Sequence, residues 1–93
     1  MIVRIAGERQ YRLSDDLAER LNDLDNRCVE AVEGGDEARF RDLFAQMIAL
    51  VEGEGAPLAD DELVESDVIL PPRDITFKEA QREFTGEGLI PDD

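Results

Sequence analysis

The carboxylate clusters Asp23-Leu24-Asp25 and Asp60-Asp61-Glu62 are the groups in this chain whose type and spacing could do chemistry. Hard cations such as Mg²⁺ and Ca²⁺ take oxygen ligands of this kind, but neither cluster has the ligand spacing of an EF-hand loop. Histidine is absent, which removes the commonest general base and metal ligand. Cys28 is the single cysteine, so neither an internal disulfide nor a cysteine-built zinc site can form. There is no P-loop, no dinucleotide-binding glycine motif and no serine elbow. GEGAP at 53–57 and GEGL at 86–89 gather glycines, yet neither follows a strand and opens a helix as a phosphate cradle must. The expectation is a protein that is not an enzyme and carries no cofactor. Its carboxylates then read as solvated charge, with a carboxylate metal site as an alternative.

Charge is the dominant compositional signal. There are 24 acidic against 10 basic residues, and Lys78 is the only lysine among nine arginines. Residues 1–52 carry a net charge of −5 and residues 53–93 a net charge of −9. Such a surface repels phosphate backbones and anionic lipid, so direct nucleic-acid binding and membrane insertion are not expected. Basic protein surfaces are its natural partners. The bland reading is charge for solubility, or adaptation to a salty cytoplasm. No apolar stretch is long enough to span a bilayer, and MIVRIAGER lacks the layout of a signal peptide, which together imply a cytoplasmic protein.

The elements that must position these groups are legible in outline. Val3 and Ile5 alternate with Arg4, and Tyr11 and Leu13 with Arg12, the period of half-buried strands. AGERQ lies between them, with Gly7 able to take the positive φ of a tight turn, so residues 1–13 read as a β-hairpin. Ser14 is placed to cap a helix whose apolar face is Leu17, Leu21, Leu24, Cys28 and Val32, closed by Gly34 and Gly35. Asp36 caps a second helix with Phe40, Leu43, Phe44, Met47, Ile48 and Val51 as its stripe, closed by Gly53 and Gly55. The short glycine link makes residues 14–53 an antiparallel helix pair. Residues 54–75 read as an extended acidic segment anchored by Leu58, Leu63 and a third strand at Val68–Leu70. Pro71 stops that strand. Thr76 and Glu79 form a capping box for a short last helix, with Phe77, Ala80 and Phe84 facing inward, before the tail to residue 93. The fold class is α+β in a single domain, 1–93. An uncovered hairpin edge and the wide stripe of the second helix leave a homodimer open.

Two readings compete for the stretch Asp67-Val68-Ile69-Leu70-Pro71-Pro72. It is a buried strand with a proline stop, or a strip that a visiting chain extends. These six residues are the candidate partner-binding site.

MIVRIAGERQYRL is similar to the opening of the small PspA-associated (PspAA) proteins, typically MIVRIMGEGQY. PLADDELVESDVILPP resembles that family's proline-leucine, Asp-Glu-Leu and Ser-Asp-x-Ile-Leu-Pro-Pro stretch, and GEGLIP resembles its closing motif. Arg9 stands where the family has a glycine, and Glu65 where a proline is common. The resemblance implies a cytoplasmic adaptor or regulator working with a PspA-like coiled-coil protein of the envelope-stress response. It implies no catalytic residue. The alternative function is an acidic nucleic-acid mimic that occupies a DNA-binding protein.

Overall fold

The computed structural model describes residues 1–62, 64–86 and 88–90. Leu63, expected as an apolar anchor, and Pro91 of the closing motif lie outside the described residues. The hairpin forms as expected: β1 (Ile2–Ile5) pairs antiparallel with β2 (Gln10–Arg12), Val3 opposite Tyr11. Its turn is closed by Glu8 N–H donating to Ile5 O at 2.8 Å, with Gly7 at φ +77°. A side chain is strained at that φ, and glycine is free of the penalty.

Ser14 Oγ accepts from Leu17 N to start α1 (Asp15–Glu33), and Asp36 Oδ1 accepts from Arg39 N to start α2 (Glu37–Glu54). Gly53 lies inside the last turn of α2, and Gly55 rather than Gly53 caps it. The antiparallel pair covers one face of a four-stranded sheet in the order β3-β2-β1-β4. β4 (Val68–Leu70) is the expected third strand, and it runs parallel to β1 with Val3 beside Val68 and Ile5 beside Leu70. β3 (Ala56–Pro57) is a strand that the sequence reading did not contain, because two residues carry no periodicity and one of them is proline. It pairs antiparallel with β2 at the far edge, where a proline is tolerated.

Residues 58–62 and 64–67 therefore lie between β3 at one edge of the sheet and β4 at the other. Gln10 fixes their path across the face opposite the helices, its side-chain amide donating to Val64 O at 2.7 Å and to Ser66 Oγ at 2.8 Å. Two layers result, with Val3, Ile5, Leu21, Cys28, Phe40, Met47, Val51 and Leu70 among the core side chains between them. Cys28 is the small buried hydrophobe expected; burial, assisted by the charge of Asp25, pushes its thiol up to about 12. α3 (Phe77–Glu83) carries the capping box, with Thr76 N donating to Glu79 Oε1 and Glu79 N to Thr76 Oγ1. Ala80 and Phe84 are buried and Phe77 is half-buried. Phe84 packs edge-on against Phe40 and Phe44, with centroids at 5.3 and 6.2 Å.

Asp25 overturns its reading as solvated charge. It sits fully buried on the apolar face of α1. Its carboxylate accepts from Leu89 N at 3.0 and 2.9 Å and from Ile90 N at 2.9 Å, which pins the C-terminal segment to the helix. A Cβ on Gly88, at φ +79°, would lie 2.7 Å from both carboxylate oxygens, so the segment approaches only as glycine. Asp25→Ala is expected to lower the free energy of unfolding by about 3 kcal/mol, because buried amides lose a charged acceptor. Gly88→Ala should cost a comparable amount. An unchanged urea midpoint for either variant would show that the segment does not depend on this anchor.

Candidate functional site

Alternation along β4 decides the outcome for its six candidate residues. Val68 and Leu70 point into the core, at 4% and 0% exposure, whereas Ile69 is 58% exposed. Asp67 locks the strand in place: its N–H donates to Ile2 O at 2.8 Å, and its carboxylate accepts from Ile2 N at 2.7 Å. Pro71 is buried and Pro72 is exposed. The stretch thus divides into a structural set, Asp67, Val68, Leu70 and Pro71, and an outward-facing pair, Ile69 and Pro72. The reading as a buried strand with a proline stop describes the first set, and Ile69 and Pro72 are the pair that faces outward.

A groove of about 280 Å³ runs along this edge, bounded by Ala6, Ile69, Pro71, Pro72, Ile75, Glu79 and Glu83. Its wall 71–75 is fixed by two arginines. Arg41 Nη1 reaches from α2 to Ile75 O at 2.5 Å. Arg73 forks between two carboxylates, donating to Glu8 of the hairpin turn at 2.7 and 2.8 Å and to both oxygens of Glu52 on α2. The guanidinium holds the Glu8 carboxyl below its usual range, and both carboxylates raise Arg73 further above physiological pH. Glu79 is likewise held low, first by the Thr76 backbone amide and then by its hydroxyl. With Arg73 committed, the groove faces solvent with Glu79 and Glu83, one helical turn apart.

Two larger grooves lie elsewhere on the helices. The cleft of about 650 Å³ between α1 and α2 is rimmed by charges that already pair, Arg20 with Glu54 and Arg27 with Asp23 at 3.2 and 3.0 Å. The one of about 370 Å³ along α2 is floored by Phe44 and Ile48, whose side chains are already in the core. The carboxylate clusters disperse: Asp23 pairs with Arg27 on the surface while Asp25 faces inward, and Glu62 Oε1 accepts from Ala59 N in the crossover. Among the described residues, no three acidic or cysteine side chains converge on a common point that could hold a metal ion.

The family model for PspA-Associated protein matches residues 1–92. The chain belongs to the PspA-associated protein family. No curated protein and no solved structure matches it. In this PspA-associated chain the family motifs fall at the sheet and its fastenings: the opening forms β1 and β2, the Ser-Asp-x-Ile-Leu-Pro-Pro stretch forms β4 and the groove wall, and the closing motif supplies the amides held by Asp25. Arg9, in place of the family glycine, sits in the hairpin loop without a positive φ and lies 3.8 Å from Asp60. No helix among the described residues is long and apolar enough to cross a membrane.

Asp25 and Arg73 are the residues that sequence reasoning missed. For Asp25 a signal existed, since the steps Leu21, Asp25, Cys28, Val32 place it within the apolar stripe. For Arg73 there was none, because its two partners are 65 and 21 residues away. Because Glu8 titrates below its ordinary 4.5 in the folded chain, its pairing with Arg73 stabilises the fold above that value and is lost as pH falls through the lowered value. Arg73→Met should therefore be less stable than the parent at neutral pH, and the gap should close in acid and at about 0.5 M salt. A gap that persists at pH 3 in thermal melts would assign the loss to packing of the arginine stem.

Proposed function

We propose that this protein is a non-enzymatic, single-domain cytoplasmic adaptor that binds a PspA-type protein of the envelope-stress response through its β4 edge. Its localisation at a membrane would come from that partner. The observation that carries the reading is the family match across residues 1–92, whose description names association with PspA. The edge supports it locally. Among the described residues Ile69 and Val64 are the exposed large hydrophobics, both on the acidic stretch that enters and forms β4. A single apolar anchor within an acidic surround suits a partner that presents an apolar residue among lysines or arginines. The chain's net charge of −14 would speed encounter with a basic surface and make the complex salt-sensitive.

Ile69→Asp places a carboxylate where the partner buries an apolar contact and leaves the core untouched. Binding to a purified PspA protein, measured by calorimetry, should weaken by at least about tenfold. Raising salt from about 0.05 to 0.5 M should weaken the parent complex as well. Unchanged affinity in Ile69→Asp would remove the edge from the interface. Recovery from cell extract of DNA-binding proteins in place of PspA would favour the nucleic-acid mimic.

A further inference from the structure

Leu70 O accepts from Ala6 N at 2.9 Å, so Leu70 turns its backbone groups toward β1. Backbone groups alternate along a strand. The N–H and C=O of Ile69 therefore point away from β1, toward the side of β4 where no further strand lies among the described residues. On either side of Ile69 the edge closes. Asp67 spends its N–H on Ile2 O, and Pro71 has none. Of positions 67, 69 and 71, only Ile69 offers a free N–H, and its own C=O stands beside it.

We infer that the partner segment bound at this site is extended and basic, and that it joins the sheet as a strand antiparallel to β4, centred on Ile69. This rests on the proposal that β4 is the docking edge. Only antiparallel pairing lets one partner residue exchange both hydrogen bonds with one residue of the chain; a parallel strand divides them between two. The partner residue opposite Ile69 stands on the same face and is apolar. Its two neighbours point the other way, toward the layer that holds α3, where Glu79 and Glu83 line the groove. They are therefore lysine or arginine. A second copy of this chain does not fit, because an antiparallel pair would bring two such acidic edges together. A docked helix, with its backbone satisfied internally, would use the Ile69 side chain and ignore its amide.

The test is hydrogen exchange at the Ile69 amide, followed by NMR on the full chain alone and with purified PspA. Exchange should be fast in the free chain and slowed by about tenfold or more in the complex. Ile69→Pro removes the amide at an edge position where proline is tolerated, and Ile69→Ala keeps it. The proline variant should bind about tenfold more weakly than the alanine variant. A complex in which the Ile69 amide still exchanges fast, or in which the two variants bind alike, would overturn strand addition while leaving the β4 edge as the docking site. Concentration-dependent protection in the chain alone would assign the edge to a second copy instead. Failure of the parent chain to bind PspA at all would defeat the docking proposal itself. Should the proline variant not fold, amide protection in the parent chain decides.

Discussion

The parallel register between β1 and β4 is the constraint on which the rest of the structure depends. A hairpin alone is marginal in water, and β1 becomes an inner strand only because β4 joins it. Val3 and Ile5, both fully buried, then gain Val68 and Leu70 as neighbours on the core face. The same alternation that buries Val68 and Leu70 turns Ile69 outward. An exposed isoleucine at the edge is thus the geometric consequence of closing the core with a three-residue strand. The register also obliges the segment holding Val64 and Ser66 to cross the sheet, which is why Gln10 is a buried polar residue: its amide is the tie that the crossing needs.

Several of the ties that close the C-terminal half onto the N-terminal half share a chemistry. With 24 carboxylates and 10 cationic side chains, ion pairing cannot satisfy the acids. Backbone amides take over that role. Asp67 accepts from Ile2, Asp25 from Leu89 and Ile90, Asp36 from Arg39, and Glu79 from Thr76. Hydrogen bonds to ionised acceptors are roughly twice as strong as neutral ones, so each carboxylate placed on an amide is a directional fastening. Helix starts use the same device locally. The long-range cases are the informative ones, because each joins segments about 65 residues apart.

This division between local and distant explains what the sequence could disclose. Ser14, Asp36 and the Thr76–Glu79 box act within four residues, and the strand and helix periods act within a few turns, so these elements were readable. The partner of β4, the direction of that pairing and the short β3 depend on contacts across more than 40 residues, for which a single chain carries no pattern. Val68-Ile69-Leu70 was ambiguous for the same reason. A run of three apolar residues states that something is buried, and only the register states which two. Asp25 was readable in principle, since a carboxylate at the steps of an apolar stripe either faces a partner or breaks the helix face. Reading DLD as a surface cluster concealed it.

The prolines complete the logic of the site. Pro71, buried and lacking an N–H, stops β4 one residue after Ile69. Long exposed edges pair indiscriminately, and short ones flanked by charge do not. An edge open at one residue would admit one register, since a strand shifted along it finds either the occupied Asp67 or the donorless Pro71. In the proposed complex the Ile69 contact and the surrounding acids would add to the backbone bonds. Because Arg41 and Arg73 already hold the wall at 71–75, the proposed docking would spend little on ordering this chain. In the proposed docking, backbone geometry would thus set register, and charge would set the choice of partner.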